Sequence, residues 1–337
     1  MNSTLPMTSA PSSDPHPVRL RASADRAQSG GERPPQVSIG LNCYKAERWI
    51  GECLDSLLAQ TLQDFEIVIS DNASPDSTFE ICKSYAARDP RIRAYRTDRN
   101  VGIAGNLNRV FELARGEFFC WASANDYYAP QFLERCVRRM QDDPEIDLVA
   151  SQLAPLEQDP PIAEPDPRGV EVTMHGPADR VVALLRVNRD GRFVRGVYRR
   201  AALLPLMPLG TRFGQDIVLG SQLAANGKVV MLGERPCYFE RTAHGTVTHK
   251  IPAHLRVGYY EPEAGLRAYL FHRCRNQFEI WRIALGAADT GREKLRAALG
   301  MLRLSYRWKS DVYHDLYDVA GLIRGYLRAR RKSIRPA

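Results

Sequence analysis

Three short polar stretches of this 337-residue chain carry side chains that could grip an oxygen-rich, charged ligand: Asn42-Cys43-Tyr44, Asp71-Asn72 and Asn125-Asp126. The second is the most informative. An apolar run, Ile67-Val68-Ile69, reads as a buried strand. It stops at Ser70-Asp71-Asn72 and is followed by the turn formers Ser74, Pro75 and Asp76. A carboxylate at the carboxyl end of a buried parallel strand stands where open α/β sheets bind ligands. There it can accept hydrogen bonds from a base edge or from ribose hydroxyls. The same residues also read as a solvated turn ahead of a helix capped by Asp76 or Ser77.

The flanking elements bear on that choice. Val37 to Asn42 is a strand, and Trp49, Ile50, Cys53, Leu54, Leu57 and Leu58 follow at helical spacing. A strand over 66–70 precedes a helix over 77–88 and a short strand over 92–95. A helix over 103–114 stops at Gly116. A strand over 117–122, a helix from Pro130 to about 142 and a strand over 146–151 complete the alternation. This order predicts a doubly wound, mainly parallel sheet flanked by helices, with the polar strand ends converging on one crevice. Residues 1–35, rich in Ser, Pro and Arg without periodicity, are expected to be disordered. A Pro-rich loop spans 155–170. Residues 254–337 are expected to be mainly helical, in segments over 265–285, 292–308 and 312–331.

Hydrophobic content of 44% and charged content of 26% are those of an ordinary globular protein. Seven scattered cysteines, odd in number and lacking a C-x-x-C pair, read as reduced thiols rather than a disulfide frame or zinc site. No apolar run approaches the roughly 20 residues that span a bilayer, and the N-terminus lacks the apolar core of a secretory signal. The expected location is the cytoplasm, with peripheral contact at the inner face of the cell membrane. The net charge of +8 is concentrated in residues 301–337, where nine Lys or Arg face three Asp. A basic tail interleaved with Leu, Ile and Tyr suits an anionic membrane. Nucleic-acid contact or a solvated helix end are its other readings. The tail alone does not make a nucleic-acid enzyme, and no nucleic-acid partner is expected.

Residues 37–151 resemble the nucleotide-sugar-binding half of a family 2 glycosyltransferase with the GT-A fold. The likeness rests on Val37-Ser38-Ile39-Gly40-Leu41-Asn42-Cys43-Tyr44, Leu54-Asp55-Ser56-Leu57-Leu58-Ala59-Gln60-Thr61 and the stretch from Asp64 to Ser74. Arg99-Asn100-Val101-Gly102 and Ala114-Arg115-Gly116-Glu117-Phe118 continue it in order. It extends more weakly through Gly196-Val197-Tyr198-Arg199-Arg200, Gln215-Asp216 and the stretch from Pro236 to Arg241.

By that resemblance Asn42, Tyr44, Asn100 and Asn125 line the donor site, and Asp71 holds the base or ribose. Residues 124–126 stand at the family's Asp-x-Asp motif, which here reads Ala124-Asn125-Asp126. The first Asp is missing, and Asp126 keeps the position that binds Mg²⁺ or Mn²⁺ together with substrate phosphate oxygens. Asn125-Asp126 also reads as a cap for the helix at Pro130. Asp216 falls where the family places the general base of an inverting transfer. Locally it also reads as a helix cap. Arg241 and His244 would stabilise the departing diphosphate, or sit on a solvated turn, and Arg195 is a weaker acceptor-side candidate.

The implied activity is inverting transfer of a sugar from a nucleotide-diphosphate sugar to a hydroxyl of a glycan or lipid-linked acceptor, in cell-envelope polysaccharide synthesis. The alternative is a catalytically weak or inactive sugar-nucleotide-binding protein of the same fold. The corresponding division is a GT-A domain over 36–252, with a donor half over 36–151 and an acceptor half over 152–252, followed by a basic helical region over 253–337. Asn42-Cys43-Tyr44-Lys45 stands where a dinucleotide oxidoreductase would carry Gly-x-Gly-x-x-Gly. The lack of a Gly-rich loop there also disfavours a nucleotidyltransferase.

Overall fold

Val37–Cys43 (β1), Phe65–Asp71 (β2) and Phe118–Ser123 (β4) bury residues of both parities, as strands covered by helices on two sides must. These strands belong to a computed structural model that describes residues 33–155, 169–187, 195–211, 214–233, 237–240 and 272–307. Ile92–Arg96 (β3) joins them in parallel, in the order β3-β2-β1-β4. The crossovers contain Ile50–Leu58 (α1), Thr78–Ala86 (α2) and Gly102–Leu113 (α3). Further along come Tyr127–Tyr128 (β5), Phe132–Asp142 (α4), Ile146–Ala150 (β6), Leu153–Pro155 (β7), Val170–Val172 (β8) and Pro177–Val187 (α5). Gly196–Arg199 (β9), Arg200–Leu203 (α6), Gln215–Asn226 (α7), Lys228–Met231 (β10) and Tyr238–Glu240 (β11) follow, then His272–Gly286 (α8) and Gly291–Arg307 (α9).

The eight-stranded sheet has the order β3-β2-β1-β4-β9-β6-β10-β8 and is mostly parallel. One insertion departs from the sequence expectation. Strand β9 runs antiparallel between β4 and β6, pairing Phe119 and Leu148 across Tyr198. A second small sheet, β5-β11-β7, stands apart from the first.

Period-two alternation divides the core. On one face Ile39, Leu41, Ile67, Ile69, Phe118 and Cys120 pack against Ile50, Leu54 and Leu57 of α1 and Phe132, Val137 and Met140 of α4. On the other, Phe119, Leu148 and Tyr198 meet Val110 and Phe111 of α3, with residues of α5, α7, α8 and α9. The last two helices therefore belong to the second core through Ile280, Ala284, Met301 and Leu304. The helix expected over 265–285 is described from His272, and the segment over 312–331 lies outside the described residues, as do residues 1–32. No described helix is long and apolar enough to cross a membrane.

A buried carboxylate ties the lower end of the sheet. Glu66 is 3% exposed. Its Oε1 accepts the Ser38 hydroxyl (2.6 Å) and the Arg115 N–H (3.0 Å), and its Oε2 pairs with the guanidinium groups of Arg93 and Arg115, each at 2.9 Å. The Ser38 hydroxyl also accepts the Gly116 N–H at 2.8 Å. A Cβ on Gly116 would lie 2.7 Å from the Ser38 nitrogen, so this close approach requires glycine. The Arg115-Gly116 stretch thus fastens the start of β4 to β1 and β2. Burial alone would raise the Glu66 pKa. The Ser38 hydrogen bond and the two arginines outweigh it and hold the carboxyl below its usual range.

Because its folded pKa is depressed, Glu66 stabilises the fold above its unfolded value, and that contribution is lost as pH falls through the folded value. Glu66→Gln is expected to cost about 2–4 kcal/mol in urea unfolding at pH 7. The gap between variant and parent should shrink toward acid. An equal gap from pH 7 to the acid limit would show that the carboxylate charge contributes nothing.

Candidate active site

The parallel register sets Cys43 beside Asp71, and Asn42 between Ser70 and Ser123, so the ends of β1, β2 and β4 are level. Asn72 then stitches the adjoining loops. Its backbone N–H donates to Cys43 O (2.9 Å), and its side-chain oxygen accepts the Val101 N–H (2.8 Å). Its amide nitrogen donates to Asn100 Oδ1 (3.0 Å) and Gly102 O (3.2 Å). Asn100 Oδ1 also takes the Gly102 N–H at 2.9 Å, which fixes the first turn of α3.

Both turns leaving the central strands contain a left-handed residue with a Cβ: Lys45 (φ 52°) and Ala73 (φ 57°). Such backbone is held against its preference by its surroundings and concentrates at functional sites. Lys45 and Ala46 donate their N–H groups to the Ser74 and Thr78 hydroxyls. Asp71 is fully buried. Its Oδ2 accepts the Ser74 N–H (3.1 Å) and lies 3.3 Å from Arg96 Nε. Just before α2, Asp76 Oδ1 accepts the Thr78 N–H (3.2 Å) and hydroxyl (2.6 Å), so the turn carboxylate and the strand-end carboxylate are different residues.

Tyr44 is exposed above these ends, and Asn42 is half-buried between them. Past β4, Ala124 and Asp126 are buried and Asn125 is half-buried. Ala124 packs into the first core, so the position that holds an Asp in the family motif serves here as hydrophobic packing. Among the described residues no three His, Cys, Asp or Glu gather as a metal-ligand set. Asp126 is thus the single carboxylate of its motif, and a cation there would need phosphate oxygens for most of its shell. Cys43, Cys53, Cys82, Cys120 and Cys136 are buried free thiols. Burial pushes the thiols of Cys53 and Cys136 well up and that of Cys120 to about 12, so these three are not nucleophiles at neutral pH.

Asp216 lies in the first turn of α7, where its Oδ1 accepts the Ile217 N–H at 3.0 Å. Gly214 precedes it in the left-handed region (φ 80°). A Cβ there would meet the Asn276 amide nitrogen at 2.7 Å. Asn276 of α8 also accepts a hydrogen bond from the Gln215 amide at 3.1 Å. The segment before α7 is anchored on α3 by Asn108, which bonds both Leu209 N (2.7 Å) and Leu209 O (3.1 Å). Asp216 also raises the pKa of Tyr198 on β9, behind the larger effects of burial and Cys120. Arg195 is half-buried at the start of β9, while Arg241 and His244 lie outside the described residues.

Residues 38–180 match the glycosyl transferase family 2 model. Over this segment the chain is similar in sequence to that family. It is similar to EpsJ of Bacillus subtilis, an uncharacterized glycosyltransferase, at 36% identity over 115 residues, covering 34% of this chain and 33% of EpsJ. Chondroitin synthase of Escherichia coli is 32% identical over 112 residues, 33% of this chain and 16% of that protein. The chain therefore spans a third or less of the length of these relatives. The glycosyl transferase fold also recurs in S. aureus TarS 1-349 bound to UDP-GlcNAc, with a TM-score of 0.58 and 17% identity over 82% of this chain and 73% of TarS.

Arg96 and Asn108 were not singled out from the sequence. Arg96 closes β3 directly beside Asp71 in the parallel register, so a cation ending the neighbouring strand was the signal for it. Asn108 carries no such signal, because its partner is 101 residues away in the chain.

Asp71→Ala leaves the Ser74 N–H without its acceptor and Arg96 without its counter-ion. The turn should loosen, and UDP or GDP should bind at least about tenfold more weakly, roughly 1.4 kcal/mol, in calorimetry. Unchanged affinity in a folded variant would remove Asp71 from the binding site.

Proposed function

We propose that this chain transfers a sugar, with inversion, from a nucleoside diphosphate sugar to a hydroxyl of a glycan or lipid-linked acceptor. The observation that carries this reading is the level ending of β1, β2 and β4 under the turns that Asp71 and Asn72 hold. Asn42, Tyr44 and Asp71 stand at or just past these strand ends, and Asn100 bonds Asn72, all within the segment that matches the family model. The bound UDP-GlcNAc of TarS and the polymer-forming name of chondroitin synthase support the donor class and a glycan acceptor.

In this reading Asp71 and Asn100 hold the nucleoside, Asn42 and Tyr44 flank it, and Asn125 lies beside the diphosphate. Asp126 would hold a divalent cation, which neutralises diphosphate charge when bound. Arg241 and His244 would add positive charge to the leaving group. The acceptor oxygen attacks the anomeric carbon from the face opposite the diphosphate. The bond from that carbon to the phosphate oxygen breaks, and its electron pair leaves with the nucleoside diphosphate. Asp216 takes the acceptor proton. The hydrogen bond that Asp216 accepts from the Ile217 N–H is compatible with this, since a held carboxylate presents a fixed base. Peripheral contact with an anionic membrane completes the proposal, because lipid-linked acceptors reside there.

The test is a panel of nucleotide sugars assayed for nucleoside diphosphate release with a glycan or lipid-linked acceptor. Asp216→Asn should bind donor normally yet turn over at least about 100-fold more slowly, roughly 3 kcal/mol of barrier. EDTA should abolish most activity. Donor binding without turnover in the parent chain would favour a sugar-nucleotide-binding protein without catalysis. Near-normal turnover in Asp216→Asn would return that residue to a capping role.

A further inference from the structure

Helices α8 and α9 turn their small and branched residues inward and leave large apolar ones outside. Asn276, Ile280 and Ala284 of α8 and Ala297, Met301 and Leu304 of α9 are buried. On the outer side Phe278 is 74% exposed, and Leu295, Leu299 and Leu302 are 62%, 49% and 57% exposed. The three leucines recur at spacings of four and three, which puts them on one stripe of α9. A shallow apolar groove between the helices is lined by Phe278, Trp281, Leu285 and Leu295.

Exposed cations share these helices, Arg275 and Arg282 on α8 and Lys294 and Arg303 on α9, and Arg282 and Lys294 line the groove. The acids on the two helices are Glu279 and Glu293. Glu293 is occupied in a capping box, accepting the Asp289 and Thr290 N–H groups while the Thr290 hydroxyl accepts its own N–H. The groove is thus apolar, with the cations Arg282 and Lys294 in its lining.

We propose that the outer face of α8 and α9 docks on an anionic lipid bilayer, with Phe278 and the leucine stripe among the headgroups and the four cations on lipid phosphates. Charge complementarity selects this occupant. A second copy pairing through the same face would set these cations opposite one another. The chain's own residues 308–337 carry seven Lys or Arg against three Asp, the same sign as the face they would cover. The inner side of α8 gives the docking a consequence. Asn276 contacts Gln215, the neighbour of Asp216, two residues along α8 from Phe278. A bilayer on this face lies against the helix that buttresses the α7 start.

This inference rests on the membrane contact in the proposed function and assigns it a surface, and its test requires no turnover, so its failure leaves the transfer reading standing. The full chain is floated with phosphatidylcholine vesicles with and without phosphatidylglycerol. It should float with the anionic vesicles only, and high salt should release it. Leu295→Asp with Leu299→Asp should lower the bound fraction at least about tenfold, with the thermal transition retained and any donor hydrolysis in vesicle-free solution unchanged. If that variant is unstable, Arg282→Glu with Lys294→Glu reads the same face through its charge. The proposal is overturned by equal flotation on neutral vesicles, by no flotation, by variants that float like the parent, or by a concentration-dependent dimer that the variants abolish.

Discussion

Asn72 holds three segments with one side chain and one peptide unit. Its backbone N–H closes on the end of β1, its amide oxygen on Val101, and its amide nitrogen on Asn100 and Gly102. Asp71, immediately before it, is buried against the Ser74 N–H and Arg96. Between these two anchors and Ser74, Ala73 is forced into the left-handed region. The entry to α2 and the first turn of α3 are therefore placed by two adjacent buried polar side chains. Buried polar groups are costly unless fully bonded, so this arrangement has few alternatives. The crevice at the strand ends is preorganised to that extent.

The opposite end of the sheet uses the same chemistry for a different purpose. Glu66 brings together Ser38, Arg93 and Arg115, and so ties β1, β2, β3 and the start of β4 to one another. Level strand ends at the crevice follow from a fixed register at the base. From there Asn108 carries the order along α3 to Leu209, and Asn276 carries it from α8 to Gln215. The candidate base thus sits on a helix start supported from both its chain neighbours and the C-terminal helices.

The half built on β1 to β4 was legible because its signals are strong. Runs such as Phe65–Ile69 and Phe118–Ala122, separated by helical periodicity, have few other readings, and their strands and helices fall within a few residues of expectation. Strand β9 was not legible. Gly196-Val197-Tyr198-Arg199 is four residues long, and its antiparallel placement between β4 and β6 depends on partners about 50 and 80 residues away. Strands β5, β7 and β11, of two or three residues each, exist only because they pair. In the site, the strand-end positions of Asn42, Asp71 and Asp126 were legible from where apolar runs stop. The tie of Asp71 to Arg96 was not, since it requires the register of β3 on β2. That Ala124 packs into the first core likewise depended on its partners.

The central claim is that a nucleoside diphosphate lies at the ends of β1, β2 and β4. Hydrogen exchange of the full chain, with and without saturating UDP or GDP, tests it most directly. Amides over 71–76 and 99–104, together with those past β4 at 123–128, should exchange more slowly with nucleotide, while the amides of α9 should not change. Nucleotide that binds measurably yet leaves all three strand-end segments unprotected would contradict it.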